Sequence, residues 1–188
     1  MEKIQGYDEA QALTGEYEKL EAGGYICIIK NAKEEKSKTG KRMLVIALDI
    51  AEGDKKDYFQ KRFTDDTRGA NAKWPSSAIY RQMLEGEKAA GFLKGLMTSL
   101  EASNEGFKWD WDEMKLANLK CGAIFGEEEY EKMDGSIGIA TKVKYIRTVK
   151  SIQEGNFKVP EIKKLPQKGE AFEDFVNSVN SNNDDLPF

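Results

Sequence analysis

The chain has 188 residues, 39% of them hydrophobic and 10% aromatic, which is enough for one folded domain with appendages. No apolar run approaches the roughly 20 residues of a membrane-spanning helix, and residues 1–6 lack a signal-peptide pattern. With no His and only two Cys, Cys27 and Cys121, in separate apolar runs, the sequence disfavours a zinc site and a disulfide. It predicts two reduced core cysteines in a cytoplasmic protein.

The net charge of −4 is unevenly distributed along the chain. Residues 167–188 hold five acids and one base, so the other 28 acids and 28 bases leave the body of the chain neutral. Within that body, residues 30–42 carry six bases against two acids, and residues 142–150 carry four bases and no acid. Because local potential governs contact with phosphate, these two basic strips are compatible with nucleic-acid binding.

The first third of the chain predicts three strands after a polar lead-in at residues 1–22. Residues 25–32 form an apolar first strand, and a charged connector with a turn at Thr39-Gly40 follows. Residues 43–50 and 58–63 read as the second and third strands. On the second strand, one face at period two consists of Leu44, Ile46, Leu48 and Ile50.

The middle of the chain changes to helical periodicity. Residues 78–85 and 87–100 are predicted helices, and residues 113–118 one more helical turn. The apolar positions of the longer helix are Ala90, Leu93, Leu96, Met97 and Leu100. Strand character returns at residues 119–125 and 137–152.

This order of elements predicts a mainly β, α+β protein. The specific expectation is a five-stranded antiparallel barrel of the oligonucleotide-binding (OB) type, with a helical insert at about residues 65–118 between strands 3 and 4. The barrel domain would span residues 23–158, and residues 159–188 would be a linker and a flexible acidic tail. A small α+β fold with one antiparallel sheet is the alternative.

Basic and aromatic side chains mix around the predicted second and third strands. Single-stranded nucleic acid is held by cations along its backbone and by aromatic faces beneath its bases. In an OB barrel, strands 2 and 3 are the floor of the binding site, and the loops joining strands 1–2 and 4–5 are its walls. The predicted binding residues are Lys33, Lys36, Lys38, Lys41, Arg42, Tyr58, Arg62, Arg68, Lys73, Trp74, Lys142 and Lys144.

Some of these residues also have a purely structural interpretation. If residues 58–63 are a strand, we expect Phe59 and Phe63 to point inward and Tyr58 and Arg62 to lie on the binding face. Trp74, beside a proline, is more often a packing anchor than a stacking platform. Lys142 and its neighbours on the last strand are equally compatible with a solvated face.

The sequence ends on two carboxylates, two apolar residues and a terminal aromatic ring. Residues 176–183 before them are too polar to bury much apolar surface. Acid groups around an aromatic end suit a basic-rimmed pocket on a partner protein. The predicted partner-binding tip is Asp184-Asp185-Leu186-Pro187-Phe188.

Several short stretches together resemble phage-encoded single-stranded DNA-binding proteins across about residues 7–150, and the tip resembles the acidic tip that ends bacterial and phage members of that family. The stretches are Gly23-Gly24-Tyr25-Ile26, Ala32-Lys33, Ser37-Lys38-Thr39-Gly40, Met43-Leu44-Val45-Ile46, Leu93-Lys94-Gly95-Leu96, Trp109 and residues 122–130. The resemblance implies a barrel that coats single-stranded DNA in phage replication or recombination, in the cytoplasm of a bacterial host. It also implies a tip that recruits replication and recombination proteins. The acidic run Glu127-Glu128-Glu129 departs from what a phosphate-binding wall requires, unless Lys142 and Lys144 reach over it.

Little in the sequence favours catalysis or a cofactor. Asp110, Asp112 and Glu113 could bind magnesium as in a nuclease, but all three lie in one short segment. The commonest general base is missing, and no phosphate-binding glycine loop is present. We therefore expect a non-enzyme without metal or cofactor, with homo-oligomerisation possible. A protein-interaction adaptor and a metal-dependent nuclease stay open as alternatives.

Overall fold

The structure is a computed structural model that describes residues 2, 3, 5, 7, 8, 18–66 and 68–166. The predicted tip at residues 184–188 lies outside them. The strands are Gly23–Lys36 (β1), Arg42–Ile50 (β2), Ile79–Met83 (β3), Lys120–Glu131 (β4) and Ile137–Arg147 (β5). The α-helices are Tyr58–Thr64 (α1), Ala89–Ser103 (α2) and Val149–Gln153 (α3), and short 3-10 helices lie at Gly69–Asn71, Ser76–Ala78 and Glu113–Leu116.

The five strands form one antiparallel sheet in the order β3-β2-β1-β4-β5. The long strand β1 pairs with β2 through its second half and with β4 through its first half. The two edge strands, β3 and β5, contact each other, but no backbone pairing joins them in the described part of the chain. The protein is therefore α+β with an open five-stranded antiparallel sheet, which agrees with the predicted fold class and number of strands.

Two elements in the middle of the chain exchange their predicted types. Residues 58–63, predicted as the third strand, belong to helix α1, whereas residues 79–83, predicted as helix, form β3. The buried Asp49 explains the first error, since its Oδ1 accepts hydrogen bonds from the backbone N–H of Ile50 (2.9 Å) and of Phe59 (3.0 Å) in the first turn of α1. This tertiary contact satisfies a backbone N–H of the first helical turn, and the local alternation of apolar and polar residues does not reveal it.

The other predicted elements lie close to their expected positions. Helix α2 and a 3-10 turn form the insert between β3 and β4, and α2 buries Leu96, Met97 and Leu100. The last strand is shorter than predicted, because the Thr148 hydroxyl accepts a hydrogen bond from the Ser151 N–H (3.0 Å) and caps α3. None of the helices in the described ranges has the length and apolar character needed to cross a bilayer.

One buried cluster joins the sheet to α1 and α2. The predicted apolar face of β2, Leu44, Ile46, Leu48 and Ile50, lies entirely within it. Cys27 and Cys121 are also buried there, with free thiols, as predicted. The chain after β5 continues to pack beyond the predicted boundary at residue 158, since Lys163 forms a parallel backbone bridge with Glu128 of β4 and the Leu165 N–H donates to Glu129 Oε2 (3.0 Å).

Candidate nucleic-acid interface

The β1–β2 hairpin carries most of the first basic strip. Its pairing continues to the facing residues Lys36 and Arg42, so Lys33 and Lys36 are strand residues and not part of a loop as expected. The turn at Thr39-Gly40 is confirmed, since the Gly40 N–H donates to the Ser37 carbonyl (2.9 Å) and Gly40 has φ +81°. A short, well-paired hairpin therefore displays the cations.

The hairpin cations divide into paired and unpaired groups. Arg42 donates through Nε (2.6 Å) and Nη2 (2.8 Å) to the two carboxylate oxygens of Glu34, and this hydrogen bonding lowers the Glu34 pKa. Lys33 pairs with Glu35 (2.5 Å). The three exposed lysines Lys36, Lys38 and Lys41 have no carboxylate partner within the described residues. They leave an uncompensated positive end on the hairpin.

The outer face of β1, β2 and β3 continues from this hairpin. Arg81 on β3 lies opposite Val45 on β2, which lies opposite Lys33 on β1. With neighbouring strands about 4.8 Å apart, the backbone positions of Arg81 and Lys33 stand roughly 10 Å apart across the sheet. The next row contains Met83 and Met43. Arg81 was not among the predicted binding residues, and residues 78–85 were assigned to a helix.

At the seam between β3 and β5, two tyrosines lie near an arginine. The Arg147 guanidinium carbon is 5.2 Å from the centre of the Tyr145 ring, and this ring is 44% exposed. Burial raises the pKa of Tyr80, an effect that Arg147 opposes and Tyr145 increases, so both groups lie close to Tyr80. An exposed aromatic ring beside a cation suits base stacking next to a phosphate.

Tyr58 and Arg62 stay together, but on one face of α1. Arg62 lies 5.6 Å from the centre of the Tyr58 ring and donates to its hydroxyl (3.4 Å). The Tyr58 hydroxyl donates to the Glu18 carbonyl (2.8 Å). Phe59 is buried as expected, whereas Phe63 is only partly buried.

The residues after α1 contribute mainly to packing and local pairing. The indole of Trp74 donates to the Leu48 carbonyl (3.0 Å) and lies 5.5 Å from the Phe63 ring, as a packing anchor does. Arg68 pairs with Asp66 and holds the pKa of that carboxyl well below its usual range. Lys73 is exposed.

Lys142 and Lys144 both pair with Glu128. The ammonium groups donate to Glu128 Oε1 and Oε2, the second at 2.5 Å. Burial opposes ionisation of this carboxyl, but the hydrogen bonds from the two lysines outweigh it and lower the Glu128 pKa to about 2. The two lysines therefore neutralise Glu128, one of the three acids in the run Glu127-Glu128-Glu129.

A cavity of about 740 Å³ lies between the hairpin, α2 and the 3-10 turn after it. Arg42, Lys94, Trp109 and Trp111 are among its lining residues, together with acidic groups such as Glu113. Trp111 is 77% exposed at a backbone φ of +70°, a conformation that is costly for a bulky residue. An exposed, conformationally strained tryptophan in the lining of a cavity that also contains a hairpin arginine is a second candidate stacking surface, which was not among the residues predicted from sequence.

Two of the three carboxylates considered for metal binding, Asp110 and Asp112, have other partners. Lys115 pairs with Asp110 and lies 3.8 Å from Asp112, and Asp112 accepts a hydrogen bond from the Met114 N–H (3.1 Å). Within the described ranges, no group of three or more potential ligands is placed to hold a metal ion.

The sequence was compared with models of known protein families and with curated proteins, and neither comparison found a match.

Proposed function

We propose that this protein binds single-stranded DNA without catalysing a reaction, on an OB-type sheet. The strand arrangement supports this, since β1 pairs with both β2 and β4 and the edges β3 and β5 lie in contact. A five-stranded OB barrel is often only partly closed, and it binds oligonucleotides on its second and third strands and on the loops beside them.

The observation that carries the proposal is the positive end of the hairpin. Lys36, Lys38 and Lys41 project from the β1–β2 connection without carboxylate partners in the described structure. Lys36 shares its strand face with Arg42 and Glu34, which line the cavity beside α2, whereas Lys33 and Arg81 lie on the opposite, outer face, so the positive end of the hairpin borders both faces. Such a surface attracts phosphate groups, and when its lysines neutralise the phosphates of a nucleic acid, counterions are released from that nucleic acid.

Binding of this kind would show little base preference. The described cations suit contacts with phosphate, which position a strand without reading its sequence. Tyr145 and Trp111 supply exposed aromatic faces, and any base can stack on such a face. Such binding suits a protein that coats single strands, and the resemblance to phage-encoded single-stranded DNA-binding proteins implies that it does so during phage replication or recombination, inside a bacterial host.

The tip at residues 184–188 extends the proposal to protein partners. Its two carboxylates and terminal aromatic residue fit a basic-rimmed pocket, and we propose that it recruits replication or recombination proteins.

A protein-interaction role is the second candidate, favoured by apolar side chains at the end of the β4–β5 hairpin. Met133 is fully exposed, Ile137 is 61% exposed and Ile139 is 46% exposed. Exposed apolar patches often mark contact surfaces for other proteins or for further copies of the same chain. No specific observation favours the nuclease alternative.

The test is a titration of a labelled oligo-dT and of a duplex of equal length, each at about 50 and 200 mM salt. We expect the single strand to bind more tightly and its affinity to fall steeply with salt. Equal affinity for both forms, or binding that ignores salt, would overturn the proposal. A stable complex with a protein and no oligonucleotide binding would favour the second candidate.

A further inference from the structure

The end of the β4–β5 hairpin is a hydrogen-bonded projection with an apolar surface. The Lys132 N–H donates to the Ser136 carbonyl (2.8 Å), and Asp134 Oδ1 accepts hydrogen bonds from the N–H (2.9 Å) and the hydroxyl (2.7 Å) of Ser136. Met133 in this turn is fully exposed. The turn therefore holds apolar side chains in a fixed arrangement outside the core, which lowers the entropy cost of binding through them. We call the exposed apolar side chains of this projection the knob: Met133, Ile137 and Ile139.

The cavity of about 740 Å³ lies at the other end of the sheet and is mainly apolar, with Ala90 and Leu93 on its α2 wall. Gly23 at the start of β1 pairs with β4, and the β4–β5 hairpin projects beyond that pair. Lys36 at the end of β1 pairs with Arg42, which lines the cavity. Because the knob and the cavity lie at opposite ends of β1, a molecule offers its knob to the cavity of another copy and not to its own.

Charged side chains without partners accompany both surfaces. Glu131 lies opposite Ile137 on the hairpin, and neither Glu131 nor the neighbouring Lys132 has an ion-pair partner among the described residues. Lys94 and Glu113 line the cavity and likewise have no partner there. The other charged residues of the cavity lining are already paired. Each surface therefore offers one anion and one cation that the other can neutralise.

We propose that the knob of one copy of this protein packs into the cavity of the next copy. Met133 and Ile137 pack against the α2 wall, which removes their exposed apolar surface from water, and Glu131 pairs with Lys94. The opposite wall, which contains Trp111, is left for the stacking role proposed above. A contact between two different surfaces is heterologous, so repeating it produces an open chain of copies unless the rotation closes a ring.

The contact is weak between free copies and stronger between copies on one DNA strand. A hairpin end buries less surface than a standard protein interface does, which is typical of transient association. Copies bound side by side to a single strand are held at a high effective concentration, and this strengthens the same contact. The cooperative binding that results rests on the proposed function, whereas the contact between copies does not.

Sedimentation velocity from micromolar to near-millimolar protein tests the contact. The wild type should form species larger than a dimer as its concentration rises. A knob variant, Met133→Gln with Ile137→Thr, and a cavity variant, Ala90→Glu, should associate at least about tenfold more weakly. All three positions are exposed, so circular dichroism should show an unchanged fold. The control Ala102→Glu makes the same change at an exposed position of α2 outside the cavity and should associate as the wild type does.

A mixture of the two variants identifies the surfaces that meet. The knob variant keeps an intact cavity and the cavity variant keeps an intact knob, so an equimolar mixture should form dimers of one copy of each and no longer chains. A wild type that stays monomeric at every concentration would overturn the proposal. So would a cavity variant that associates like the wild type, because the knob would then contact another surface.

Oligo-dT binding separates this inference from the proposed function. If the wild type binds oligo-dT but stays monomeric in sedimentation, the contact is refuted and the DNA-binding function stands. If the wild type associates through the knob and the cavity but does not bind oligo-dT, the contact stands and the DNA-binding proposal fails.

Discussion

Lys36 and Arg42 face each other as cross-strand neighbours at the turn end of the β1–β2 hairpin. Like charges in directly opposite positions destabilise a sheet, and only Arg42 has a carboxylate partner, Glu34, within the described structure. The arrangement is unfavourable for folding and favourable for an anion that contacts the end of the hairpin.

Replacing Lys36 with threonine should therefore separate folding from binding. We expect Lys36→Thr to keep or slightly raise the melting temperature, since it removes the repulsion from Arg42. The corresponding gain in unfolding free energy is up to about 1 kcal/mol. Oligo-dT affinity should fall in the same variant. Circular dichroism and fluorescence anisotropy measure the two effects. Lys33→Thr, which removes a lysine already paired with Glu35, should weaken binding less. A Lys36 variant that unfolds earlier and binds normally would contradict this interpretation.

Trp111 should report DNA binding through its fluorescence. Trp74 is hydrogen-bonded within the fold and Trp109 is only partly exposed, whereas most of the Trp111 side chain is open to solvent. We expect oligo-dT to quench the wild type and Trp111→Ala to lose most of that quenching. The variant should also lose about 1–3 kcal/mol of binding free energy, as expected for one stacked base.

Two further variants make that result specific to Trp111. Trp111→Phe retains an aromatic face and should recover most of the affinity. Met114→Ala removes an equally exposed apolar side chain from the neighbouring 3-10 turn and should change nothing. Undiminished quenching in Trp111→Ala would exclude Trp111 as a stacking surface.

The ion pairs of Glu128 should make stability depend on pH in a defined window. The Glu128 pKa is lowered from its ordinary value of 4.5 to about 2, so the pairs stabilise the folded state fully above about pH 4.5. This stabilisation is lost as the pH falls towards 2, because the folded protein must then protonate the carboxylate. The melting-temperature difference between wild type and Glu128→Gln should be largest near neutral pH and should vanish near pH 2. Glu131→Gln, at the exposed end of β4, is the control. A difference that stays constant with pH would contradict the assignment.

The two cysteines should be unreactive in the folded protein. Cys27 and Cys121 are cross-strand partners, and neither side chain is exposed. Burial raises the pKa of Cys121 to about 12 and also raises the pKa of Cys27 well above its ordinary value. Since the thiolate is the reactive form, a thiol reagent at pH 8 should label neither residue natively and both in denaturant. Rapid native labelling would show that the core opens at this pair.

Local sequence patterns predicted the elements that have a clear hydrophobic period. They failed where a contact between residues far apart in the sequence determines whether a segment is helix or strand. The alternating face of β2 and the apolar stripe of α2 follow directly from sequence, since each period defines the buried side. Residues 58–63 alternate equally well, but the carboxylate of Asp49 receives the Phe59 N–H and favours the helix. No local signal reveals that contact.

The same limit applies to the candidate site. The basic hairpin was visible in the sequence because its charges are consecutive. The pairing of Lys142 and Lys144 with Glu128 depends on the contact between β4 and β5. The exposure of Trp111 depends on its own backbone conformation, which has a positive φ within an aromatic run. Neither feature can be read from composition or spacing.

The central claim is that the unpaired lysines of the hairpin contact DNA phosphates. Its most direct test is the salt dependence of oligo-dT binding by a variant with Lys36, Lys38 and Lys41 replaced by alanine. A control variant carries the same charge change at the exposed residues Lys56, Lys158 and Lys164. Each phosphate contact on a single strand contributes about 0.7 to the slope of log affinity against log salt, so three lost contacts should reduce the slope by about two. The control should keep the wild-type slope. An unchanged slope in the hairpin variant, or an equal reduction in both variants, would contradict the claim.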